Sequence, residues 1–397
     1  MTDHAVHQPV AGQSFSSLIY DPKVRSIFFQ VVTVALLTFL VWNIVNNTME
    51  NLARSNTASG YDFLKSRAGF DIGQSLISYS SDSTYGRAII VGLLNTLMVA
   101  ATGIVTATIL GFLIGVGRLS KNWLIAKLCT VYVETFRNIP PLLVIFFWYS
   151  GVLSALPHPR DSIILPFSTF LNNRGLAFPT PIWGEGSIVL PIAIVVAIAA
   201  SIFLARWAKA RQMRTGQPFA TAKAVTAIVI GLPLLAFLAV GAPLTFDYPV
   251  ESTFNVRGGS IIRPEFVALY LALSFYTAAF IAEIIRAGIK GVPHGQTEAA
   301  SALGVRPSIT TRLVVVPQAM RIVIPPLTSQ YLNLTKNSSL GVAVGFPELV
   351  STGGTTMNQT GQAVEIVSIW LAVYLSISIA TSLFMNWFNA RMALVER

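Results

Sequence analysis

The residues of this chain that could do chemistry gather in one place. Between Glu298 and Arg321 the sequence reads EAASALGVRPSITTRLVVVPQAMR, with Glu298, Arg306, Arg312 and Arg321 set around Gly304 and two prolines, Pro307 and Pro317. By residue type this is either an ordinary connection or a protein-docking element. A long, structured connection is usually functional. Catalysis would need convergent His, Asp or Cys groups, and these are missing. His4, His7, His158 and His294 are scattered without ligand spacing, so no metal site is expected. The single cysteine, Cys129, excludes a disulfide framework within the chain. No GxxxxGK[ST] occurs, so the chain has no phosphate-cradling loop of its own. It is not expected to be an enzyme.

A second group of candidates consists of polar residues inside apolar runs, where they are expensive and tend to be functional. These are Asn95 and Thr96, then Glu134, Arg137 and Asn138, then Asn333, Lys336 and Asn337. Glu134 and Arg137 stand three apart, and an ion pair near the membrane surface is favoured over substrate contact. Lys336 lies ten residues beyond Pro326, well inside a run and on the same helical side as Asn333.

The elements that must position these residues are membrane helices. Of 397 residues, 53% are hydrophobic and 11% charged, with mean hydropathy +0.63; a soluble domain carries about a quarter charged residues. Several windows reach the ~18 uncharged residues that cross a bilayer, and none shows the period-2 alternation of a β-barrel. The expected class is an all-α polytopic membrane protein with about eight spans. The net charge of +10 then reads as basic residues gathered in cytoplasmic loops, not as a nucleic-acid surface.

In order, a polar tail (1–25) precedes a first span (26–45) that resembles a signal-anchor more than a cleaved leader. A mixed-charge external loop follows (46–87), then two spans (88–156). The second span holds Gly111 and Gly115, a GxxxG read as close helix packing. Residues 157–264 carry two more spans, external loops and one connection with Arg206, Lys209, Arg211, Arg214 and Lys223. Residues 265–390 hold three spans and the segment described above, about 291–318, before a short tail (391–397). About twice as many Lys and Arg fall on the assigned inside as on the outside, so both termini are placed in the cytoplasm. Within 291–318, GQTEAASALG reads as a helix ending at a glycine C-cap. VRPSITTRLVVV restarts a helix on Pro307, Pro317 is expected to bend it back toward the membrane, and Ala299, Ala300, Leu303 and Leu313 make one side apolar.

This pattern resembles the EAA loop of ABC-importer permeases, on Glu298, Ala299, Ala300, Gly304, Val314, Val316 and Pro317. The neighbouring IAEIIRAGIKGVPHGQTEAASALG, PQAMRIVIPPL, LTKNSSL and VYVETFRNIPPLLVIFFWYSGV are similar to the polar amino-acid, or histidine/glutamine permease, subfamily. The likeness narrows to the larger permease subunits of general L-amino-acid importers of α-proteobacteria, and it covers roughly half of the chain. It implies a type I importer core with an extra N-terminal span and an inserted helix pair. It also implies cargo delivered by a periplasmic amino-acid-binding protein, a heterodimer with a second related permease, and an inner-membrane location.

ATP and Mg would be bound by a separate ABC ATPase dimer, which Glu298, Ala299, Ala300, Gly304, Arg312, Pro317 and Arg321 would contact. Asn95, Thr96, Asn333, Lys336 and Asn337 would line the substrate path. Lys336 would meet either a substrate carboxylate or an acid on the partner permease. Two departures stand out. Residues 157–264 interrupt a core usually left whole, and Asn337 stands where an acid is common. The rival, an ion-coupled secondary transporter, would need inverted repeats and an intramembrane ion site. The sequence offers neither internal self-similarity nor an acid deep in a span.

Overall fold

The computed structural model describes residues 22–54, 60–252 and 256–392, so most of each expected terminal tail lies outside it. The helices run α1 (Pro22–Arg54), α2 (Tyr85–Gly117), α3 (Trp123–Asn138), α4 (Pro141–Leu153), α5 (Val189–Thr215) and α6 (Thr221–Ala239). After them come α7 (Pro264–Lys290), α8 (His294–Ala302), α9 (Pro307–Thr310), α10 (Val316–Asn337), α11 (Leu349–Thr360) and α12 (Ala363–Met392).

Six of these are long and apolar enough to cross a membrane: α1, α2, α5, α6, α7 and α12. The expected third span is not one straight helix. It breaks between α3 and α4 with a bend of 110°, because Pro140 and Pro141 donate no backbone hydrogen bond and bar the preceding residues from helical geometry. Counted as one span, the pair makes seven. The remaining expected span is α10, 22 residues long, which Thr328, Ser329, Asn333 and Lys336 make more polar than the other six.

The core is built on α2 and α7, which run parallel. Gly103 meets Ser274, Gly111 meets Ala278 and Ile281, and Gly115 meets Ala282 and Ile285. A Cβ on Gly111 would lie 2.6 Å from Ile281 and one on Gly115 2.7 Å from the Ala282 carbonyl, so the GxxxG is a packing motif, as its spacing suggests. Helix α10 runs the other way along both. Its Val323 lies against Gly288, its Leu334 against Gly103, and Tyr331 Oη is 2.9 Å from Thr108 Oγ1. Two helices that start at the same end need an odd number of crossings between them, and α3/α4, α5 and α6 supply three.

At the end where α2 and α7 begin, Gly60–Thr84 is a packed cap, not an open loop. Phe63, Ala68 and Ile72 form a small core with Tyr85, Leu349 and Ile366, and Gly60 N–H donates to Glu365 Oε1 at 2.7 Å. The expected first span is longer at both ends, since no Gly or Pro interrupts the sequence between Pro22 and Arg54. Its apolar window buries nothing against the rest of the chain.

The inserted stretch is anchored by a four-stranded sheet in the order β1 (Ile163–Leu165), β2 (Thr169–Asn172), β3 (Gly175–Phe178), β8 (Ser260–Ile262). Beyond it, β4 (Thr180–Trp183) pairs with β5 (Leu244–Asp247), and β6 (Val250–Glu251) with β7 (Val256–Arg257). Helices α5 and α6 form a hairpin off β4 and β5. Arg206, Lys209, Arg211 and Arg214, expected in a connecting loop, lie in the last turns of α5, which ends at the left-handed Gly216. Basic side chains suit a helix C-terminus.

Candidate functional site

At the opposite end from the cap, α7 delivers the chain to α8. The end of α8 is fully capped: Gly304 N–H donates to the Ser301 carbonyl at 2.9 Å and Val305 N–H to the Ala300 carbonyl at 3.1 Å. This paired capping needs a left-handed residue, and Gly304 has φ +70°. Arg306 is extended, Pro307 opens α9, and a wide π turn, Thr311–Val315, runs straight into α10. The chain therefore stays helical through Pro317. A proline ring clashes with the carbonyl four residues back, here Leu313, and the wide turn moves that carbonyl aside. Pro317 sits in the first turn of α10.

Around this turn the coupling candidates stand open. Glu298, Ala299 and Arg312 are exposed, Ala300 is buried and Arg321 half-buried. Glu298 Oε1 lies 3.0 Å from His294 Nδ1, one turn back on the same helix. Leu303 is 82% exposed and Leu313 67%, so of the apolar side expected from sequence only Ala300 is covered by the chain. Gln318 Nε2 donates to Gln296 Oε1 at 3.4 Å, tying α8 to the start of α10.

A cluster of charges just inside this end was not identified as a unit from sequence. Arg118, at the end of α2, pairs with Glu283 of α7 and with Glu134 of α3 (3.5 Å), and Glu283 also pairs with Arg286. Arg118 is only 10% exposed and Glu283 24%. The expected Glu134–Arg137 pair does not form. Arg137 lies over the Phe280 ring instead, 5.6 Å from its centre, while Arg118 reaches Glu134 from another helix. Local spacing names the i,i+3 partner, but only tertiary packing reveals a third residue that competes for it. The signal available was Glu283 and Arg286, three apart on an otherwise apolar helix.

The substrate-path candidates fall into two groups. Asn95 and Thr96 are fully buried. Asn95 Nδ2 donates to the carbonyls of Gln74 and Pro347, both at 2.9 Å, and Leu349 N–H donates to Thr96 Oγ1 at 3.1 Å. Both clasp the cap and α11 to α2. Asn333 and Lys336 are exposed and Asn337 is half-buried, on the side of α10 away from the buried Leu334 and Thr335. Asn138 Nδ2 donates to the Glu134 carbonyl at 2.7 Å, within its own helix.

Comparison with known proteins gives this arrangement a family. Residues 198–394 match the model for the binding-protein-dependent transport system inner membrane component. The general L-amino acid transport system permease protein AapQ of Rhizobium johnstonii is 69% identical over 386 residues, covering 97% of this chain and 96% of the relative. The glutamate/glutamine/aspartate/asparagine transport system permease protein BztB of Rhodobacter capsulatus is 44% identical over 424 residues, with 98% of each covered. With its membrane helices and capped turn between α7 and α10, the chain belongs to the inner-membrane permeases of binding-protein-dependent ABC importers.

Proposed function

We propose that this chain carries L-amino acids into the cytoplasm by alternating access, driven by a separate ATPase that docks on α8 and α9. The observation that carries the reading is a helix that is finished yet uncovered. Its cap at Gly304 satisfies the terminal carbonyls, while Glu298, Leu303, Arg312 and Leu313 have no cover from the rest of the chain. The segment is continuous with α10, a core helix, so force applied to it enters the bundle directly. The charges joining Arg118, Glu134, Glu283 and Arg286 tie α2, α3 and α7 together at the same end. The cargo follows the relatives, which are amino-acid permease proteins.

In this reading both termini and α8 lie on the cytoplasmic face. ATP and Mg belong to an ATPase dimer, and a second, related permease completes the pore. A periplasmic binding protein supplies the cargo at the cap end. The open side of α10 bearing Asn333, Lys336 and Asn337 faces that second permease, so the path runs along the seam. Uptake by the reconstituted assembly tests the docking. Glu298→Ala and Gly304→Val should each abolish ATP-driven uptake and reduce copurification of the ATPase. Normal uptake and assembly in both variants would sink the docking role.

A further inference from the structure

At the cap end, the chain forms a partly open, polar cavity of about 220 Å³. It shares Gly73, Arg263 and Glu265 with a second, outer cavity of about 600 Å³. The second is of a size that takes small organic molecules. Its walls come from parts of the chain distant in sequence: the cap segment, the inserted sheet and the first turn of α7. The inserted sheet places two guanidinium groups here. Strand β3 pairs with β8, with Leu176 opposite Ile262, so Arg174, just before β3, and Arg263, just after β8, both reach the outer cavity.

Arg263 is held close to the backbone of the cap. A Cβ on Gly73 would collide with its guanidinium, lying 2.6 Å from Nη1 and 2.7 Å from Nη2. Facing it is Glu265, whose Oε1 accepts from Tyr149 Oη at 3.4 Å. Its other oxygen, Oε2, is buried and has no partner among the described residues. The same is true of Gln74 Oε1 on the inner wall. Arg263 makes no ion pair with Glu265 or with any other described residue. The Arg263 guanidinium and two carboxylates, those of Glu265 and of Asp71 on the inner wall, thus face the connected space with no ion pair between them, and buried acceptors left open call for a donor. The inner wall is itself braced, because Asn95 donates to the carbonyls of Gln74 and Pro347, both lining residues.

We propose that this cavity holds an amino-acid zwitterion, with the α-carboxylate on Arg263 and the α-ammonium on Glu265. It is a way station at the cap end before the cargo reaches α10. The assignment rests on the amino-acid transport reading for its place in the cycle. It explains what the insertion does at the core: its sheet brings Arg174 and Arg263 to the mouth. Recognition through the backbone groups suits a carrier of many side chains, since planar, bidentate guanidinium binding favours a carboxylate whatever else the molecule carries.

The test is equilibrium binding of radiolabelled L-glutamine to the complete assembly in nanodiscs, without binding protein or nucleotide. Saturable binding is expected, weakened at least about tenfold by Arg263→Gln and by Glu265→Gln. Partial recovery is expected in Arg263→Lys and Glu265→Asp. On the unmodified assembly, L-glutaminamide, without the carboxylate, and glutaramic acid, without the amine, should compete at least about tenfold more weakly than glutamine. That comparison needs no variant to fold. Equal competition by all three, no saturable binding, or unchanged binding in both neutral variants would overturn the site. Loss of binding in Lys336→Met alone would place the amino acid deeper and also overturn it. Weakened docking of the binding protein with glutamine binding intact would make the face a protein-docking surface instead. Uptake is not part of the measurement. An assembly that binds glutamine as described but imports nothing would fault the transport reading and leave the site standing.

Discussion

At the scale of single residues, two positions separate backbone from charge. Gly304 occupies left-handed geometry with nothing within 4 Å of a notional Cβ, so its substitution is a test of conformation, not of space. Gly304→Ala should cost about 1 kcal/mol and lower the melting temperature of the assembly only slightly. Gly304→Val adds β-branching to the same strain and should uncouple ATP hydrolysis from uptake. Lys336 is a test of charge. It stands exposed on α10 beside Asn333, where a bare ammonium in a membrane is costly unless something meets it. If it meets a substrate carboxylate, Lys336→Met should reduce kcat/KM for glutamate about tenfold more than for a neutral amino acid. Equal losses for both substrates, measured in proteoliposomes, would reduce Lys336 to a structural pair with the neighbouring permease.

Pairs of helices carry the next level of argument. Because α2 and α7 touch through Gly111 and Gly115, Gly111→Leu must separate them or displace Ile281. The double variant with Gly115→Leu should prevent recovery of folded protein in detergent, while Gly231→Leu on α6, where a Cβ meets nothing within 4 Å, should be silent in size-exclusion profiles. Glu283 joins the ends of the same helices. Glu283→Gln leaves Arg118, which is 10% exposed, short of its main partner, at a cost of about 2 kcal/mol, read as a fall in thermal stability. Much at this level was legible in the sequence: the glycine spacing named its packing face, the alanines and Gly304 named α8, and Pro307 named the start of α9. Two things were not. Pro140 and Pro141 part α3 from α4 across a 110° bend that was not expected, whereas Pro325 and Pro326 lie within the continuous α10, where neighbouring helices hold the backbone. And Asn95, singled out because a buried amide is expensive, braces loops from both sides. Periodicity cannot distinguish an amide facing a pore from one facing a carbonyl brought in from 252 residues away.

For the whole molecule, the open matter is how a core tolerates an insertion of two spans. The answer lies in the ends of that insertion. Pairing of β3 with β8 brings its two ends together directly above α7, and pairing of β4 with β5 closes it again at the base of the α5–α6 hairpin, from Thr180 opposite Asp247 to Trp183 opposite Leu244. Gly184 N–H donates to the Pro243 carbonyl at 3.0 Å, extending that ladder by one step. The helix pair therefore hangs from a closed β-ribbon, and no residue of α6 is fully buried. Removing 185–242 and joining Gly184 to Pro243 through an Asn-Gly turn should keep the ribbon, because a two-residue turn of that type matches the twist of paired strands. The crossings between α2 and α7 would fall from three to one, still odd, so both helices would keep their direction. The shortened chain is expected to reach the membrane, keep the ATPase bound and retain glutamine binding at Arg263 and Glu265. Substituting Gly175, where a Cβ would run into the Ile262 carbonyl, should do the opposite: the helix pair would remain, but β3 would part from β8 and glutamine binding would fall. If the deletion, and not Gly175→Val, abolished glutamine binding, the hairpin itself and not the sheet would be what positions the cavity.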